Sequence, residues 1–97
     1  MLFYDFEVFK EDWLVVIIDT DKEIINEIVN DRSKLNEIYQ ANKNNIWIGY
    51  NSRRYDQYIL KAILAGFNPK EINDFMIVEG KGGWEFSSLL NKFPIIN

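Results

Sequence analysis

A strand that runs straight into a helix restricts a chain more than either element alone, and Ile46 to Gly66 reads as such a junction. Ile46-Trp47-Ile48-Gly49-Tyr50 is β-branched and aromatic, the composition of a short buried strand. Asn51 and Ser52 follow, and both are good helix N-caps. From Arg53 onward the pattern is helical, with Gly66 as its natural stop. At about 100° per residue, Tyr55, Ile59, Leu60, Ala62, Ile63 and Leu64 share one broad face. Asp56 falls near the middle of that apolar face, while Gln57 and Lys61 turn to the other side. A carboxylate inside an apolar stripe is unfavourable unless something compensates it. Three compensations are open: a salt bridge, protonation or a metal ion. The plainest reading is a buried Asp that pairs with an Arg or caps a neighbouring segment.

The N-terminus holds a second pair of acids. Leu2 to Phe9 alternates as a strand, with Leu2, Tyr4, Phe6 and Val8 on one face and Phe3, Asp5, Glu7 and Phe9 on the other. Large apolar groups on both faces predict a central strand covered on both sides. Asp5 and Glu7 point the same way, with Cα atoms roughly 6.5–7 Å apart. Two flexible carboxylates at that spacing can converge on one ion, or can simply face solvent.

The residues that are missing narrow the chemistry. The chain has no Cys and no His, so disulfides, thiolates and Ser/His or Cys/His triads are out, and a structural zinc site has no ordinary ligands. Any bound metal needs carboxylates and carbonyls, which favours a hard ion such as Mg²⁺ or Mn²⁺. The net charge of −4 is not that of a protein that coats nucleic acid by bulk electrostatics. It is compatible with an enzyme that grips phosphate through metal ions. No apolar run approaches membrane-span length, and the acids in Met1-Leu2-Phe3-Tyr4-Asp5 rule out a signal peptide, so no membrane partner and a cytoplasmic setting are expected. Ninety-seven residues make one domain with a thin margin of burial, which a homodimer or a continuation of the chain would widen.

The remaining elements follow in order. Lys10-Glu11-Asp12 is a polar turn, Trp13 to Thr20 a second strand, Asp21-Lys22 a hairpin turn, and Glu23 to Val29 a more mixed third strand nearer an edge. A short helix follows, capped by Asp31 or Ser33, with Leu35, Ile38 and Tyr39 at contact spacing. Ala41 to Asn45 is a polar loop. Asn68-Pro69 starts one or two helical turns, and Phe75 to Val78 reads as a short extended piece. Gly80-Lys81-Gly82-Gly83 lacks phosphate-loop spacing and reads as a turn. Trp84 to Leu90 reads as helical, and Phe93 to Ile96 as a strand just beginning.

The order β-β-β-α-β-α resembles the ribonuclease H-like α/β fold: a three-stranded antiparallel meander, then helix, parallel strand and helix. Phe3-Tyr4-Asp5-Phe6-Glu7 resembles the first motif of the DEDD-type 3′–5′ exonucleases, Asp-x-Glu on strand one. Gly49-Tyr50-Asn51-Ser52-Arg53-Arg54-Tyr55-Asp56 resembles their second motif as found in proofreading domains of family B DNA polymerases: Gly-Tyr-Asn, three residues, aromatic, Asp. The resemblance covers about Leu2 to Gly66 and points towards phage-encoded polymerases and their associated exonucleases. It implies that Asp5 bridges two Mg²⁺ or Mn²⁺ ions, that Glu7 binds one, and that Asp56 holds the second through water. Asn51 would steady the strand–helix junction or contact the substrate strand, and Tyr55 would pack beneath the site. Arg53 and Arg54 would touch the DNA backbone or remain solvated charges. The implied reaction is phosphodiester hydrolysis at a single-stranded DNA 3′ end, with two metals about 3.5–4 Å apart.

The family's third motif, Tyr or His, three residues, then Asp, has no counterpart in this sequence, and Asp74, Glu79 and Glu85 lack its context. The chain therefore reads as the first half to two-thirds of an exonuclease domain, short of the fourth carboxylate and the general base. The other reading is a non-catalytic ribonuclease H-like interaction module, dimeric through the face that a further part of the domain would occupy.

Overall fold

The computed structural model describes residues 1–51 and 55–96. Four strands, β1 (Leu2–Val8), β2 (Trp13–Asp19), β3 (Ile24–Val29) and β4 (Trp47–Gly49), form one mixed sheet in the order β3-β2-β1-β4. β1 and β2 pair antiparallel, as do β2 and β3, and β4 lies parallel to β1. This is the expected meander followed by a parallel strand. Helix α1 (Arg32–Ala41) connects β3 to β4, and α2 (Gln57–Ala65) and α3 (Pro69–Ile77) follow. Among the described residues, no helix is long and apolar enough to cross a membrane.

One sheet face makes the core. Leu2, Tyr4 and Phe6 of β1, Trp13, Val15 and Ile17 of β2, Ile28 of β3 and Trp47 of β4 are all buried, and the helices supply Leu35, Tyr39, Ile59, Leu60, Ile63 and Ile72. Trp47 is the central ring: it meets Tyr4 at 5.5 Å and Tyr39 at 6.1 Å between centroids, and its Nε1 donates to the Asn42 carbonyl at 3.0 Å. The opposite face is open, which corrects the expectation of a β1 strand covered on both sides. β1 is central, yet Phe3 and Ile18 are exposed on the uncovered face. Ile48, Phe3, Ile18 and Ile25 stand there in one row across the sheet. Asp5, Val16 and Glu27 form the next row, and Glu7, Leu14 and Val29 the third. Large apolar groups on both faces signalled burial on both, but the helices cover only one.

The helix ends follow local chemistry. Asp31 caps α1 by accepting from the Lys34 N–H at 3.0 Å, and Asn68 caps α3 by accepting from Lys70 N–H at 2.9 Å. Gly66 ends α2 at φ 95°, the left-handed position that a side chain would strain. The reading of Phe75–Val78 as extended was wrong: α3 runs on to Ile77. Ile72 and Met76 are buried one turn apart, and the Lys70–Asp74 ion pair at 2.6 Å spans a turn of the same helix. Trp84 to Leu90 is split into two 3₁₀ turns, Gly83–Glu85 and Ser88–Lys92, with Ser87 capping the second. The chain then reaches the outer edge of β4, where Ile96 pairs parallel with Ile46 and its carbonyl accepts from Trp47 N–H at 2.7 Å.

Candidate functional site

β1 and β4 run side by side only as far as Tyr4 and Gly49. The Tyr50 N–H still reaches the Tyr4 carbonyl at 3.2 Å, and then the strands part. Beyond the split, the Phe6 N–H on β1 has lost its strand partner. Asp56 replaces it: Oδ1 accepts from Phe6 N–H at 3.1 Å, and Oδ2 accepts from Asn51 N–H at 2.6 Å. The carboxylate is only 1% exposed. Asp56 lies on the buried side of the helix, in line with Ile59, Leu60 and Ile63 as the periodicity placed it. It sits just before Gln57, in a wide first turn where the Asn51 carbonyl accepts from both Tyr55 N–H (2.8 Å) and Asp56 N–H (3.1 Å). The second of these spans five residues, a π-type turn. Of the compensations open to Asp56, the structure shows hydrogen bonds to a neighbouring segment.

These bonds do not offset burial completely. Burial raises the Asp56 pKa, the Asn51 and Phe6 N–H groups oppose that rise, and the Asp5 carboxylate adds to it. The Asp5 charge thus reaches Asp56 across fifty-one residues of chain. Asp5 stands exposed on the open face of β1, with Glu7 exposed on the same side. Among the described residues, no three acidic side chains stand close enough to hold a metal ion together. Asp5 and Asp56 are neighbours, and Glu7 lies further along the strand.

Tyr55 is half-buried against the core, and its hydroxyl donates to Asn73 Oδ1 at 2.6 Å. Burial first, then the charges of Asp56 and Asp5, push its pKa up to about 12, so the phenol stays neutral and donating. Asn51 acts at the junction through its backbone, donating to Asp56 and accepting from the next turn, while the residue itself is exposed. Ser52, Arg53 and Arg54 lie outside the described residues.

No family model, curated protein or solved structure matches the chain.

Two grooves flank the Asp56 junction. One, of about 450 Å³ on the open sheet face, is lined by Phe3, Asp5, Val16, Ile18, Ile48 and Tyr50, the last 90% exposed. The other, of about 560 Å³, runs from Asn51 and Tyr55 to Lys81, Gly82 and Trp84. In the sequence alone, Lys81 and Gly82 read as part of a turn and Trp84 as the start of a helix. The available signal was a tryptophan directly after a glycine-rich loop with one lysine, a composition too common to stand out before α3 folds the loop back beside Tyr55.

Proposed function

We propose that the chain carries the metal-binding half of a ribonuclease H-like 3′–5′ exonuclease site that acts on the 3′ ends of single-stranded DNA. One observation carries the reading: a buried carboxylate, Asp56, held where β1 and β4 part and within electrostatic range of Asp5. The donor set is all oxygen, as Mg²⁺ or Mn²⁺ requires. Asp56 accepts one backbone bond on each oxygen and keeps a lone pair on each for a further partner. Burial above all, with the Asp5 charge adding to it, raises the Asp56 pKa, and a bound cation would offset both. Asp5 and Glu7 on the open face and Asp56 at the junction would be the residues that hold the ions. When bound, the ions supply an activated water and the charge that stabilises a departing 3′ oxygen. The protein orients: Phe6 and Asn51 N–H groups fix the Asp56 carboxylate, and Tyr55, anchored on Asn73, packs beside it. In this reading Arg53 and Arg54 contact the DNA backbone.

Mn²⁺ titration tests the site directly. Binding to the folded state alone raises stability by RT ln(1 + [L]/Kd), about 2.7 kcal/mol at a hundredfold excess over Kd. A Tm that rises with millimolar Mn²⁺ in wild type and stays flat in Asp5→Ala is the expected result. Asp5 is exposed and repels Asp56, so its removal leaves the metal-free fold intact. A wild-type Tm unmoved by Mn²⁺ sinks the site. Mn²⁺-dependent shortening of a 3′-labelled oligonucleotide, abolished in Asp5→Ala, then tests the reaction.

A second reading, a non-catalytic dimeric module, is favoured by the uncovered sheet face. Phe3, Ile18 and Ile25 are 39%, 40% and 71% exposed in one row, an apolar strip that self-association would cover. Pairing through this strip would also bury Asp5 and Glu7, so the two readings compete for one surface. Sedimentation equilibrium decides: a dimer converted to monomer by Ile18→Lys supports the module, and a wild-type monomer at high concentration ends it.

A further inference from the structure

We propose that the groove between Asn51 and Trp84 is a landing site for single-stranded nucleic acid, with the Trp84 indole as a base-stacking platform and Lys81 as a phosphate contact. The inference rests on the exonuclease reading for its biological sense but not for its physical basis.

Trp84 is 70% exposed, whereas Trp13 and Trp47 are buried. An exposed tryptophan is usually loose, but this one has a seat. A Cβ built on Gly82 would lie 2.3–2.6 Å from three indole carbons, so the ring rests against the bare backbone of that glycine. On its other side the loop is pinned in turn: a Cβ on Gly83 would strike the Tyr58 ring at 2.3 Å, and Gly83 is buried. The Gly82 N–H also donates to the Glu85 carboxylate at 3.0 Å. The indole is thus fixed and open at once, the combination that a stacking platform needs.

Lys81 lines the same groove. Its ammonium lies 5.3 Å from the Phe75 ring centroid and 3.8 Å from the Glu79 carboxylate, both held at the surface. An exposed ion pair at that distance yields readily to a phosphate. The far end of the groove is Asn51 and Tyr55, beside the Asp56 carboxylate. A strand whose base stacks on Trp84 and whose phosphate meets Lys81 would run towards Asp56. At about 560 Å³ the groove is within the range that holds a small-molecule-sized group such as one nucleotide. Lys81 as the one cation among the described groove residues, on an acidic chain, predicts modest affinity, dominated by stacking and weakly dependent on salt.

The test is binding in EDTA, where no metal site contributes, with oligo(dT) and oligo(rU) as separate arms. Tryptophan fluorescence reports the contact, because Trp84 is the solvent-exposed one of the three tryptophans. Wild type is expected to show quenching on oligonucleotide addition. Trp84→Ala should weaken binding by about tenfold or more, measured by anisotropy of a labelled strand, and Trp84→Phe should retain most of it. Gly82→Ala keeps an ordinary backbone conformation at φ −72° but displaces the indole, so it should weaken binding with Trp84 still present. Lys81→Ala should lower the salt slope by about one. Preference for one arm assigns DNA or RNA. No quenching at low salt by a folded wild type, or equal affinity in wild type, Trp84→Ala and Gly82→Ala, overturns the platform. Because the assay omits metal, the groove can stand while Mn²⁺ fails to bind, and Mn²⁺ can bind while the groove fails.

Discussion

Asp56→Ala is expected to destabilise the fold by about 2–5 kcal/mol even with every divalent ion chelated. The substitution orphans two backbone donors, the buried Phe6 N–H and the part-buried Asn51 N–H; each lost partner costs about 1–3 kcal/mol, the second towards the low end because water can reach it. Asp56→Asn keeps the shape but offers one carbonyl oxygen where two acceptors are needed, and it turns an amide N–H towards the other donor. It should lose about 1–3 kcal/mol. The pH dependence has the opposite sign from a salt-bridged Asp. The folded pKa is raised above the ordinary 3.8, so between those values the folded protein binds more protons than the unfolded chain. This group's contribution therefore falls as pH rises through the window and levels off above the raised value. Asp5→Ala should narrow the window by removing the repulsive neighbour. Denaturant melts of wild type and the three variants in EDTA across mildly acidic pH measure all of these quantities. Equal stability of wild type and Asp56→Ala would mean that the carboxylate does not cap β1.

The second large effect is at Trp47, where alanine should remove about 3–5 kcal/mol. The ring is 1% exposed, edge-on to Tyr4 and tilted against Tyr39, and its Nε1–H holds the end of α1 at Asn42. Tyr39 in turn donates to the Pro94 carbonyl at 3.0 Å and meets Phe93 at 6.0 Å. Loss of Trp47 thus loosens the sheet, the first helix and the C-terminal segment together. A domain of this size has about 5–15 kcal/mol in all, so Tm should drop by roughly 15–30 °C. Trp84→Ala, on the exposed ring, should stay within about 0.5 kcal/mol of wild type, which makes it the internal control. A Trp47→Ala protein that melts with wild type would remove this ring from the centre of the core.

Alternation along Leu2–Val8, continuous apolarity in Leu14–Ile18, the Asn68 cap and the Gly66 stop were all legible from the chain, because each is a local property of a few neighbouring residues, whereas the α1 cap was narrowed only to Asp31 or Ser33 before the structure chose Asp31. The meander followed from short connections, and the parallel β4 from the resemblance of the element order to the ribonuclease H-like fold. Tertiary structure decided the rest. Which sheet face is covered depends on where three helices pack, and a strand with apolar groups on both sides does not encode that choice. Whether Phe75–Val78 is helical depended on Met76 finding the core beside Ile72. For Asp56, helical periodicity marked an acid out of place, but what it serves lies fifty residues back on β1, where a backbone N–H loses its partner as two strands diverge.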